Sequence, residues 1–245
     1  MVGCAWVQMG QLWWTMVADL SLCPMTDRPT PSPVSSLSTH TAWATGLGLA
    51  LVLLWDALGL DIAVAYGFGN AQGFALRNHW LLTDWMHDGA KRLAWLLVLL
   101  LVLSIWWPRG WLRRLHQRER VQWVVTVLLS LIVVGLVKHF SRTTCPWDVT
   151  LFGGATPYVP HWALGVADGG GGRCFPAGHA SAGFAFIGGY FALRRALPVQ
   201  ARWCLALSLL AGLALGLGQQ VRGAHYMSHT LWTAWFSWLI CVAAA

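Results

Sequence analysis

The chain has 245 residues, 57% of them hydrophobic and only 10% charged, against about a quarter charged in an ordinary soluble domain. That composition excludes a typical soluble enzyme and points to an all-α, polytopic membrane protein. The net charge of +7 is not a nucleic-acid footprint, because the basic residues sit in short loops between apolar runs, where they set orientation and meet anionic lipid heads.

Residues 1–40 read as an N-terminal extension. Met1 to Cys23 is apolar but lacks the basic start and small-residue cleavage site of a secretory signal. Thr26 to His40, with Pro29, Pro31 and Pro33, has the composition of a disordered tail. Translation starting at Met25 is the alternative reading of this stretch.

Residues 41–245 read as one membrane domain of six spans. These are expected at about 41–58, 93–107, 121–137, 180–193, 203–219 and 231–245. Tryptophans near their ends (Trp43, Trp55, Trp95, Trp106, Trp107, Trp123, Trp203) suit interfacial belts. Between the first two spans, Phe74 to Arg92 mixes Trp80, Leu81, Leu82, Trp85 and Met86 with polar residues, as a helix lying in the interface does. His79, Asp84, His87 and Asp88 there match no ligand motif, so no metal site is expected.

Arginine asymmetry sets the orientation. Loops 108–120 and 194–202 are arginine-rich and are expected in the cytoplasm of a bacterial inner-membrane protein. The long loop 138–176 and the short turn 219–229 then share the periplasmic face. A loop that long inside a compact fold is usually functional. On this oxidising side Cys145 and Cys174 are candidates for a disulfide, with two free thiols as the alternative. Cys204 and Cys241 lie inside apolar runs and read as packing residues.

Chemistry concentrates on that face. Gly172-Arg173-Cys174-Phe175-Pro176-Ala177-Gly178-His179 reads as a tight loop entering a helix. Free backbone N–H groups about Gly178 and the positive end of the dipole suit an anion such as phosphate. Lys138, Arg142, Arg173 and Arg222 add fixed cations. Lys138 and Arg142 are four apart and would share a face on a continuing helix. His179 and His225 offer a nucleophile and a general acid, which lets phosphoryl transfer proceed without metal.

Lys138, the tetrapeptide Pro176-Ala177-Gly178-His179 and the run Arg222-Gly223-Ala224-His225-Tyr226-Met227-Ser228-His229 resemble the three signature motifs of the type 2 phosphatidic acid phosphatases. That family shares its helical fold with the vanadium haloperoxidases. The resemblance covers about residues 41–245. It implies six membrane helices and a metal-free, cofactor-free lipid phosphatase with a phosphohistidine intermediate. Phosphatidic acid, phosphatidylglycerol phosphate, undecaprenyl diphosphate and lipid A are the implied candidate substrates. The chain departs from the pattern at four positions. Cys145 stands where the first motif has arginine, Ala177 replaces a serine, and Gln219 stands at the arginine six before the histidine. His229 stands at the final aspartate, so His229 is expected to orient His225, with Asp148 of the facing loop as the candidate replacement carboxylate. A non-catalytic lipid-phosphate binder or transporter on the same bundle is the rival reading.

Overall fold

A computed structural model describes residues 38–163 and 165–245; most of the proposed 1–40 extension lies outside them. The described chain is helical apart from one two-residue hairpin. Helix α1 (Thr39–Ala57) is followed by the short α2 (Leu60–Ala65) and by strands β1 (Gly69–Asn70) and β2 (Gly73–Phe74). A π-helix, Leu81–Gly89, runs straight into α3 (Ala90–Leu103), and α4 (Gln117–Phe140) comes next. After a long loop, α5 (Ser181–Phe184) and α6 (Gly188–Leu193) are joined by the 3-10 turn Ala185–Ile187. Helices α7 (Pro198–Val221) and α8 (Met227–Ala243) end the chain.

Helical segments fall at all six expected places, but among the described residues two alone, α4 and α7, are long and apolar enough to cross a membrane by themselves. Ser181–Leu193 has a physical reason to fail that test. Thirteen helical residues rise only about 20 Å, short of a hydrocarbon core of about 30 Å. It is instead the centre of the bundle. Phe184, Ile187 and Leu193 are fully buried, and α4, α7 and α8 pack around it. A helix apolar on every side belongs in such a position.

Small residues let the helix backbones approach closely. A Cβ at Gly183 would lie 2.2 Å from the backbone nitrogen of Gly212, so α5 and α7 touch main chain to main chain. The outside of the bundle is apolar instead. Leu96, Leu99, Leu100, Leu207 and Leu210 are each more than half exposed.

The expected separate interfacial helix, Phe74 to Arg92, is corrected. Its first part is the hairpin and turns, and from Leu81 onward it is the leading end of α3. No breaker lies between Gly89 and Lys91, so the helix continues. The basic loop also holds a surprise: Arg120 is buried and donates from Nη1 to the carbonyls of Leu112 (3.3 Å) and Leu115, bracing the turn rather than facing lipid heads.

Candidate active site

Three segments meet at one end of the bundle. The first is the end of α4. The helix stops at Phe140, and Ser141 turns extended. The chain then runs beside the second segment: Arg173 N–H donates to Ser141 O (2.8 Å) and Cys174 N–H to Thr143 O (3.0 Å). Cys145 and Cys174 form a disulfide, Cα atoms 5.2 Å apart. Buried Asp168 ties the same loop by accepting from Thr144 N–H (2.7 Å), Thr144 Oγ1 (2.7 Å) and Gly170 N–H (3.0 Å).

The second segment enters the core through a cis Phe175–Pro176 peptide. Ala177 N–H donates to His229 O (3.1 Å), and Ser181 Oγ donates to Gly178 O (2.6 Å). His179 therefore lies two residues before α5 rather than inside it. The Lys138 side chain lies over Gly178, where a Cβ would be 3.4 Å from its Cδ.

The third segment turns between α7 and α8. Gly223 takes φ 77°, which lets Ala224 N–H reach back to Gln219 O (2.9 Å). The first turn of α8 is capped from afar: Asp61 accepts from Ser228 N–H (2.9 Å), from Ser228 Oγ and from Trp55 Nε1 (2.9 Å). His225 and His229 are buried behind this turn, their Nδ1 atoms 3.5 Å apart. The rings of His179 and His225 are 6.4 Å apart, centroid to centroid. Lys138, Gly178, His179, His225 and His229 thus form one cluster.

The model of the PAP2 superfamily matches residues 120–245, more than half of the chain. The chain belongs to the PAP2 superfamily. Members of that superfamily are phosphatases, so the protein is read as a hydrolase of phosphate esters. No curated protein and no solved structure gives a significant match.

Within the PAP2 region, Arg222 answers one departure from the pattern. Its Nη1 donates to Gln219 Oε1 (3.2 Å), so a guanidinium sits beside the position six before His225 although the residue there is glutamine. Its Nε is held by Arg77 O at 2.9 Å. Arg142 and Arg173 are not brought to the histidines. Both are exposed, and the end of α4 at Phe140 takes Arg142 off the face of Lys138. Asp148 does not reach His225 either. Its carboxylate accepts from Trp147 Nε1 (2.9 Å) and lies 3.9 Å from Arg77, half exposed.

Electrostatics follow from burial. His179 is pushed down to about 3, first by desolvation and then by the charges of His87, Lys138, Arg222 and Lys91. His225 is held well below the usual histidine range, first by complete burial and then by Lys138 and the two neighbouring histidines. Both imidazoles are therefore neutral, surrounded by positive charge that an anion would balance.

Several site residues went unread in the sequence. His87 and Lys91 approach from the π-helix and α3, with the ring of His87 4.0 Å from that of His179. A cavity of about 190 Å³ ends on Lys91, Gly178 and His179, with Trp95, Val98 and Leu131 along its wall. Behind His229 lies a second polar group. His161 sits edge-to-face on it at 5.7 Å and 3.3 Å from Asp56 Oδ2, which accepts from Trp232 Nε1. Among the described residues, two groups have ligand-type atoms close enough to hold a metal. In Cys174, His225 and His229 the sulfur is already spent in the disulfide. In Asp56, Asp61 and His161 the Asp61 oxygens are occupied by three donors and His161 Nε2 faces Asp56 Oδ2, which leaves Asp56 Oδ1 without a hydrogen-bond partner. His79, Asp84, His87 and Asp88 do not form such a group.

Proposed function

We propose that this PAP2 protein is an integral membrane phosphatase that hydrolyses, or transfers, a phosphate of a lipid head group at the periplasmic face of a bacterial inner membrane. The observation that carries the reading is the gathering of Lys138, Arg222 and His225 around His179, which itself lines a cavity with largely apolar walls. Phosphate oxygens lie against Lys138, Arg222 and the backbone about Gly178, and the lipid tail continues along Trp95, Val98 and Leu131. The apolar exterior of the bundle suits lipid contact; in water it would be an association hazard.

The chemistry runs in two displacements without cofactor. His225 keeps Nδ1 toward His229, which leaves Nε2 as the nucleophile. A P–N bond forms, the lipid P–O bond breaks, and the departing oxygen takes a proton from His179, the histidine of the second motif, which becomes protonated once the bound phosphate anion balances the positive charge around it. Water then attacks phosphorus, the P–N bond breaks with its electron pair returning to His225, the proton of the water goes to His179, and phosphate leaves. Phosphatidic acid, phosphatidylglycerol phosphate, undecaprenyl diphosphate and lipid A all present the required group.

One observation favours the rival reading of a non-catalytic lipid-phosphate binder. Two cation positions of the family pattern are filled by Gln219 and by a disulfide-bonded Cys145. Phosphate release from a panel of lipid phosphates separates the two. Turnover that survives chelator and is lost in His225→Ala supports the phosphatase; tight binding without release supports the binder. Single cysteines in loops 108–120 and 138–176, labelled with a membrane-impermeant reagent, test the orientation.

A further inference from the structure

The π-helix brings a histidine to the site that no motif contains. π-turns are wide and recur at functional positions. Here the wide turn seats Met86 on α7 at Gly218, where a Cβ would lie 2.7 Å from Met86 Cε. His87, the next residue, then lies on His179, ring centroids 4.0 Å apart and planes 36° apart. Its Nδ1 is 2.8 Å from Asp88 Oδ1. The pair is open to solvent, with 36% of the His87 side chain and 56% of that of Asp88 exposed.

An imidazole that gives and takes protons works best with its other nitrogen held by an acceptor, which fixes the tautomer and stabilises the cation. Of His87, His179, His225 and His229, only His87 has a carboxylate on a ring nitrogen. Nδ1 of His179 is buried without a partner, and Nδ1 of His225 meets another imidazole. The His87 side chain is also partly open to solvent, whereas His179 sits among Lys138, Arg222 and Lys91.

We propose that His87, held by Asp88, is a further acid–base residue of this site and shares the leaving-group proton with His179. The inference rests on the phosphatase reading. In the first displacement the P–O bond to the lipid breaks, its electron pair goes to the lipid oxygen, and that oxygen takes a proton from His179, whose ring is reprotonated by the His87 imidazolium packed on it. In the second, a proton from water returns through His179 to His87 as the oxygen bonds to phosphorus and the P–N bond to His225 breaks. Phosphate leaves, and both histidines return to their starting states. Asp88 is a positioning residue.

Leaving-group dependence tests this on the purified full chain. An alkyl phosphate such as phosphatidic acid expels a poor leaving group that needs a proton; p-nitrophenyl phosphate expels a phenolate that does not. His87→Gln is expected to lower kcat on phosphatidic acid roughly 100-fold and on p-nitrophenyl phosphate less than about five-fold. Asp88→Asn should show the same selectivity at about ten-fold. Equal losses on both substrates would mean that His87 only supports structure or binding, and no loss on either would mean that it does nothing; each outcome overturns the proposal. Loss of turnover in His225→Ala alongside an indifferent His87→Gln sinks the dyad alone. Wild-type protein that releases phosphate from neither ester sinks the phosphatase reading and the dyad with it.

Discussion

His225 and His229 meet nitrogen to nitrogen, Nδ1 to Nδ1 at 3.5 Å. Only one proton fits between two such atoms, so one ring donates and the other accepts. The backbone of His229 is fixed, its carbonyl accepting from Ala177 N–H (3.1 Å) and Thr233 Oγ1 (2.7 Å). A neutral imidazole accepts more weakly than a carboxylate. His229→Asp should therefore preserve or raise phosphate release, while His229→Ala lowers it roughly 10–1000-fold. A wild-type rate in His229→Ala would show that His225 is oriented by its contacts with Cys174 instead.

Acid should unfold the protein through its buried histidines. In the folded state His225 and His179 are held below the ordinary histidine value, His179 at about 3. The unfolded chain takes up protons below about pH 6.5 that the folded chain refuses. Stability is therefore complete above that pH and falls as pH drops toward 3. Each histidine contributes up to about 1.4 kcal/mol per pH unit in that window. Thermal unfolding in detergent between pH 7.5 and 4.5 measures it, and His179→Gln should flatten the slope. A melting temperature that rises on acidification contradicts the assignment.

Reduction of Cys145–Cys174 should loosen the site from outside. The bridge spans 29 positions, and on the loop-entropy model its loss costs roughly 3–4 kcal/mol. Because the Cys174 sulfur lies 3.7 Å from His225 Nδ1, turnover should fall along with the melting temperature. Unfolding scans with and without reductant, repeated on Cys145→Ser, provide the check; identical scans would leave the bridge without a stabilising role.

The crossing of α5 and α7 should tolerate no side chain. Gly183→Ala drives a methyl group into the backbone of Gly212 and should cost about 1–3 kcal/mol or more. Gly46→Ala on α1, where a Cβ meets nothing within 4 Å, should instead be neutral or stabilise by about 0.5–1 kcal/mol. Paired melting curves separate close packing from general sensitivity to glycine replacement.

Apolar runs with polar residues at their ends made the helical segments and the residues Lys138, His179 and His225 readable in the sequence. Arg142 and Arg173 were misread because nearness along the chain was taken for nearness in space. Ser141 leaves the helix, and the loop that follows carries both arginines into solvent. His87 went unread for the opposite reason. An amphipathic pattern tells which residues are polar, not which one lands on a distant ring; the seat of Met86 on Gly218 decides that. Asp61 and Asp56 sat among apolar neighbours, and their partners Ser228 and Trp232 lie more than 160 residues away. No local period encodes such a pairing. Asp148 had the right chemistry but is engaged by Trp147 and Arg77.

Asp61 lies outside residues 120–245, which the PAP2 model matches, yet it holds the first turn of α8, next to His225. The region of detectable kinship and the unit that must fold together are therefore different things. A fragment beginning at residue 120 would retain the three motifs and lose the anchor of the third, together with the ring stacked on His179. Modularity in this protein stops short of its active site: the helices before residue 120 are structural partners of the motifs that follow it, and the site is a product of both.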